Sequence, residues 1–242
     1  MDSAQTADGS PQPPRQRVAL HRSQRAVAAV VAESHRTIPS AFAAVRVQID
    51  SAIGLGRELT RREHCLIGLP ELLVKAVASL RPQFVLCFAT LVGDDGLELA
   101  ESARIGVTVE VGSGMSVPVL PDAEASSWRQ VATTLMEFRL AAMRGGLLTR
   151  ELVGANIVLA VHSDPDVTVV VPMVFPGQVC AVSLGGPQNE LAFTEDGTVT
   201  SRSVVQLGIA YDHRVINARE ALSFLQAIKA LLESPEALAP LG

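Results

Sequence analysis

The sequence predicts a mixed α/β fold in one domain, and three observations point there. Segments with apolar residues at helical spacing are interspersed with dense β-branched runs, so both element types are present. The connections between them are mostly short. No glycine-rich phosphate loop follows the first predicted strand, which disfavours a dinucleotide-binding or P-loop architecture. With 242 residues, 48% of them hydrophobic, and a mean hydropathy of +0.29, the chain can bury one large core or at most two small ones.

Residues 1–17 are polar and proline-rich without an apolar stretch. They read as a disordered tail, with the features of neither a signal peptide nor a membrane anchor. The domain proper is expected over 18–242. Residues 25–35 are alanine-rich with apolar residues at helical spacing, and Thr37-Ile38-Pro39 ends that first helix. Alternation at Val45, Val47 and Ile49 predicts a half-buried strand over 41–50, and 69–80 is a compact apolar helix. Between 105 and 120, two β-branched runs flank Gly112-Ser113-Gly114, as in a hairpin. Helical period returns over 123–143 and stops at Gly145-Gly146. Residues 156–184 hold two dense Val/Leu/Ile runs separated at 162–166, expected to be central strands. A turn at Glu195-Asp196-Gly197, a strand over 203–211 and an amphipathic helix over 218–232 complete the chain.

Composition excludes several classes of function. A formal charge of −5 arises from 20 basic and 25 acidic residues spread along the chain, without the basic stripe of a nucleic-acid binder. One Trp and one Tyr leave little material for stacking bases or sugars. Cys65, Cys87 and Cys180 are odd in number and widely spaced, which fits a reducing, cytoplasmic compartment. His64, His21 and His35 have no carboxylates at ligand spacing, so no metal is expected.

The segment Tyr211-Asp-His-Arg-Val-Ile-Asn-Ala, at a strand end before a helix, resembles the active-site region of the dihydrolipoyl acyltransferases of 2-oxoacid dehydrogenase complexes. Their signature is Asp-His-Arg-x-x-Asp-Gly; Asp212, His213 and Arg214 match it, while Asn217 and Ala218 stand where aspartate and glycine are expected. Other segments agree in order. Glu33-Ser-His-Arg-Thr-Ile-Pro39 resembles the family's first helix exit and Leu148-Thr-Arg-Glu-Leu152 its Leu-Thr-x-x-Glu-Leu connection. Ser116-Val-Pro-Val119 resembles its Leu-Val-Pro-Val strand, and Pro176-Gly-Gln178 its Pro-Pro-Gln turn.

This resemblance spans residues 18–235 and implies a chloramphenicol-acetyltransferase-like fold, a mixed sheet flanked by helices. It also implies a homotrimer with each active site between subunits. The usual lipoyl and subunit-binding domains have no room upstream of Val18, so no covalently attached lipoate is expected. In this respect the chain resembles freestanding O-acetyltransferases of tetronate polyketide pathways. The substrates so implied are acetyl-CoA as acyl donor and a small-molecule primary hydroxyl as acceptor, with no nucleic-acid or membrane partner.

Acyl transfer needs a base for the acceptor proton and a donor for the tetrahedral oxyanion. The resemblance makes His213 the base; an ordinary imidazole, with a pKa of about 6.5, is largely neutral at physiological pH. Outside that motif, a histidine here would simply satisfy a strand end. The family's oxyanion hydroxyl falls on Ala160, which has no donor. Ser163 is the candidate replacement, a surface turn residue being the plainer reading; nearby His162 has no precedent as a base. Asn217, Asp212 and Gln24 are expected to support the catalytic loop, with Asn217 and Gln24 forming an amide pair in place of the family's aspartate–arginine pair. Arg214 is read either as a contact to CoA phosphates or as a structural ion pair. The changes at Ala160, Asn217 and Ala218 motivate the alternative of a catalytically silent trimeric scaffold or core subunit, and a core served by a separate lipoyl protein is a third reading.

Overall fold

The computed structural model describes residues 18–93, 95–111, 114–146 and 153–240. The expected 1–17 tail, the Gly112-Ser113 turn and the 148–152 connection lie outside them. In chain order the elements are α1 (Arg22–Thr37), β1 (Ser40–Gln48), α2 (Asp50–Glu63), α3 (Leu69–Ser79), β2 (Thr90–Val92), β3 (Gly96–Glu98), β4 (Ile105–Val107), β5 (Val109–Val111), β6 (Gly114–Ser116) and β7 (Val119–Leu120). They continue with α4 (Trp128–Met143), β8 (Ile157–Val161), β9 (Cys180–Leu184), β10 (Gln188–Phe193), β11 (Val199–Asp212) and α5 (Ala218–Glu233).

Local chemistry fixes the helix ends. Pro70 lies in the first turn of α3, where a missing N–H costs nothing, and the Glu71 carboxylate accepts from the Gly68 N–H at 2.8 Å. Ser127 opens α4 with a reciprocal pair: its N–H donates to Gln130 Oε1 at 2.7 Å, and its hydroxyl accepts from the Gln130 N–H at 3.2 Å. Gly145, with φ of +66°, follows the last turn. Helix α2 is not anticipated by the sequence reading, because Gly54 and Gly56 depress helix propensity. Packing explains Gly56: a Cβ there would come within 3.0 Å of the Ile67 carbonyl oxygen.

The main sheet has seven strands, ordered β1-β11-β9-β8-β4-β7 with β10 also on β11. β8 runs parallel to both β4 and β9, and the remaining pairings are antiparallel. One face carries the main core, where Ile105, Leu159, Val182 and Leu207 meet helix residues such as Leu72, Phe224 and Ile228. The other face holds a small cluster around Val158, Ala181 and Ala210.

That second face is crossed by residues 164–175, and here the structure corrects the sequence reading. The Val-rich run at 167–174 is an irregular strap, not a central strand. Pro172 cannot donate to a ladder, and Val169 and Val171 face solvent. Two hydroxyls fasten the strap: Ser183 Oγ donates to Val170 O at 2.6 Å and Ser34 Oγ to Val174 O at 2.7 Å. It lies so close to Gly185 and Gly186 that a Cβ at Gly186 would sit 1.8 Å from the Asp164 carbonyl oxygen.

Candidate active site

His213 follows the last residue of β11, and its N–H donates to Pro39 O at 3.2 Å. Beneath it, Asp212 is 1% exposed. Its carboxylate accepts from the Arg214 N–H at 3.0 Å, from Nε at 3.0 Å and from Nη2 at 2.6 Å. Arg214 is thus engaged in an ion pair within its own loop, and burying an unpaired carboxylate is avoided. At the far end of the loop the Asn217 side chain caps α5, accepting from the N–H groups of Arg219 at 2.9 Å and Glu220 at 3.1 Å. The Asn217 N–H donates in turn to Glu220 Oε2 at 3.0 Å. With both ends held, the exposed imidazole of His213 is presented to solvent, its ring centroid 5.5 Å from that of Tyr211.

Gln24 does not share in this arrangement. Its amide oxygen accepts from the His21 N–H at 2.9 Å, closing the start of α1. Among the described residues no hydrogen bond joins Gln24 to Asn217, so the implied amide pair is replaced by two separate caps.

Ala160 lies near the end of β8, in register with Ser183 on β9; Val107 on β4 is in register with Leu159. The next residues, Thr108 and Ala160, therefore stand side by side. Strand alternation sends Val158, Ala160 and His162 to one side of the sheet. All three line a cavity of about 160 Å3 together with Thr108 and the strap residues Val170 and Phe175. Ser163 does not line that cavity but a larger one of about 480 Å3, shared with Val161, Thr108, Leu135 and Arg139. Arg139 pairs there with the buried carboxylate of Glu71 at 3.3 Å. Thr108 and His162 border both cavities. Nothing in the Ile-Gly-Val-Thr-Val string marks Thr108 out in the sequence; only the register does.

A single chain does not bring His213 and the Ala160 region together. Tyr211 pairs with Cys180 at the start of β9, whereas Val161 pairs with Leu184 at its end. At about 3.3 Å per residue, His213 and Ser163 are separated by roughly 25 Å along the strand direction.

The floor under the His213 loop is apolar. Cys180 is fully buried beside Cys87, and burial pushes its thiol well above the ordinary 9.0, helped by its hydrogen bond to Cys87 and by the Asp212 charge. Among the described residues no group of three or more His, Cys, Asp and Glu could hold a metal ion. No described helix is long and apolar enough to cross a membrane.

The chain matches the family described as 2-oxoacid dehydrogenases acyltransferase (catalytic domain) over residues 12–239. It is 27% identical over 227 residues to the dihydrolipoyllysine-residue succinyltransferase component of the Rickettsia conorii 2-oxoglutarate dehydrogenase complex, covering 92% of this chain and 57% of that protein. It is 26% identical over 228 residues to the dihydrolipoyllysine-residue acetyltransferase component of the Zymomonas mobilis pyruvate dehydrogenase complex, covering 92% and 51%. The chain thus spans about half the length of the curated relatives it matches. Among solved structures, the dihydrolipoamide acetyltransferase of Azotobacter vinelandii superposes with a TM-score of 0.84 at 20% identity, covering 95% of this chain and 99% of that one. A chloramphenicol acetyltransferase superposes at 0.52 with 12% identity, covering 81% and 91%. The fold is that of chloramphenicol acetyltransferase and the acyltransferase cores, as the sequence implied.

Proposed function

The chain belongs to the family of 2-oxoacid dehydrogenase acyltransferase catalytic domains, and from that premise we propose that it is a CoA-dependent acyltransferase with His213 as general base. The observation that carries this reading is the doubly anchored Asp212–Asn217 loop with its exposed imidazole. In the A. vinelandii acetyltransferase the catalytic mechanism was investigated at a serine, a histidine and an asparagine four residues beyond that histidine. His213 and Asn217 have the same interval. This shared interval supports reading Asn217 as part of the catalytic loop, whose α5 end its side chain caps.

In the proposed reaction His213 takes the proton of the acceptor hydroxyl as its oxygen attacks the thioester carbonyl. The tetrahedral intermediate then collapses, the C–S bond breaks, and the imidazolium returns the proton to the CoA thiolate. The donor is acetyl-CoA and the acceptor a small molecule with a primary hydroxyl, a tetronate-type intermediate being the candidate that the sequence resemblance suggests. A homotrimer supplies the missing proximity. With His213 and Ala160 at opposite ends of the strands, a working site takes the histidine from one subunit and the Ala160 wall from the next. A reducing, cytoplasmic compartment goes with three unpaired thiols.

A second reading, a core subunit of a 2-oxoacid dehydrogenase complex, is favoured by the curated relatives, which are components of such complexes. One experiment separates the two. The purified protein is incubated with acetyl-CoA or succinyl-CoA and either dihydrolipoamide or hydroxylated acceptors, and CoA release and product mass are followed. Transfer to a hydroxyl supports the first reading and transfer to dihydrolipoamide alone the second. No transfer to any acceptor, despite CoA binding, would leave a silent scaffold.

A further inference from the structure

We propose that the Thr108 hydroxyl, carried on the residue that follows β4, is the oxyanion donor that Ala160 cannot supply. The inference rests on the acyl-transfer reading and adds to it the group that meets the developing negative charge. The parallel register places Val107 beside Leu159 and Ala160 beside Ser183. It thereby puts Thr108, Ala160 and Ser183 in one row across three strands, on the same face of the sheet. The Thr108 N–H donates to Leu159 O at 2.9 Å, so the parallel pairing continues to this point.

Within that row the two hydroxyls differ. Ser183 is 1% exposed and its hydroxyl is already committed to Val170 O. Thr108 is half-buried, lines the cavity that Ala160 faces, and among the described residues its hydroxyl has no hydrogen-bond partner. Adjacent strands lie about 4.8 Å apart, so the Thr108 hydroxyl and the Ala160 methyl border the same patch of cavity. An acyl oxygen lodged over the methyl would come within reach of the neighbouring hydroxyl, and a donor already in place costs no reorganisation as charge develops.

The other candidates fit less well. Ser163 lines the larger cavity and not the one that Ala160 lines. His162 continues the pairing of β8, its N–H donating to Leu184 O at 2.9 Å, but its ring donates toward the cavity only in one tautomer or when charged. A hydroxyl always carries its proton.

The test compares turnover and CoA affinity in the trimer for Thr108→Val, Thr108→Ser and the double variant Thr108→Val/Ala160→Ser. Thr108→Val should lower kcat about a hundred- to a thousand-fold, as for other oxyanion donors, with the Kd for CoA little changed. Thr108→Ser should stay within a few-fold of the parent. Ala160→Ser placed in the Thr108→Val background should recover at least about tenfold, because it returns a hydroxyl to the same patch from the adjacent strand. Should Thr108→Val disturb folding, Thr108→Ser against Thr108→Ala gives the same comparison, since those two differ only in the hydroxyl. The proposal falls if Thr108→Val keeps nearly full activity in a parent whose His213→Ala variant is dead, or if the loss appears instead in Ser163→Ala or His162→Ala. A parent with no acyl transfer overturns the underlying reading and this inference with it.

Discussion

Tyr211 and Val161 are paired with opposite ends of one strand, Tyr211 with Cys180 at the start of β9 and Val161 with Leu184 at its end. The residues just after Tyr211 are thus carried away from those just after Val161. The proposed base and the proposed acyl-binding wall diverge within a chain, and the proposed homotrimer would close the gap with a neighbouring copy.

A complementation experiment checks this. Ala160→Trp would fill the 160 Å3 cavity, and His213→Ala removes the base; each should be inactive alone. Co-expressed with different tags and purified on both, mixed trimers should regain activity at about one site in three, because one interface of a cyclic trimer then joins two intact halves. Activity no higher than the two single variants would mean that each site is built within one chain.

Gln24 and Asn217 cap different helices, so their energetic roles should be independent. Asn217→Ala should cost about 1 kcal/mol of stability through the lost α5 cap and should also reduce kcat by loosening the His213 loop. Gln24→Ala should leave kcat untouched. In a double-mutant cycle by denaturant unfolding, the coupling should stay below about 0.5 kcal/mol. A larger coupling would restore the amide pair.

Cys180 gives a pH signature with a definite sign. In the unfolded chain its thiol ionises around 9.0, whereas the buried thiol, held well above that value, keeps its proton. Above pH 9.0 the native state therefore binds more protons, and stability falls with rising pH by up to about 1.4 kcal/mol per unit. Cys180→Ala should remove this part of the alkaline loss in pH-dependent unfolding. An identical alkaline slope in the variant would assign the loss to other groups.

Gly186 is a packing requirement of the strap. A methyl at this position would collide with the Asp164 carbonyl, so Gly186→Ala should destabilise by about 1–3 kcal/mol. Because the strap forms one wall of the smaller cavity, where the acyl group is proposed to lodge, the variant should also raise KM for acetyl-CoA more than for the acceptor. Unchanged melting and unchanged KM values would contradict this packing.

Features written into local chemistry were legible in the sequence. Helices α3, α4 and α5 appear as apolar periodicity with recognisable ends, and the Asp212-His213-Arg214 string identified the loop that the structure anchors at both ends. Features that depend on distant partners were not. Helix α2 was hidden because Gly56 is chosen for its approach to Ile67, against helix propensity. The 167–174 run has the composition of a strand, yet Pro172 and the hydroxyls of Ser34 and Ser183 make it a strap. Gln24 could be matched to a motif position, but nothing local showed that the first turn of α1 would use its amide. Ser163 is close to Ala160 in sequence, and only the folded structure reveals that the two line different cavities.

The parallel pairing of β4 with β8 also bears on how such proteins are inherited and recognised. Thr108 and Ala160 are far apart in the chain and adjacent in the sheet, so a functional group lost from one strand can be regained on its neighbour without any change of backbone. Selection acting on this surface would see a cross-strand pair as one locus. A catalogue that demands a hydroxyl in a single alignment column would retire such a chain as a dead enzyme, whereas a catalogue of in-register pairs would keep it among the living ones.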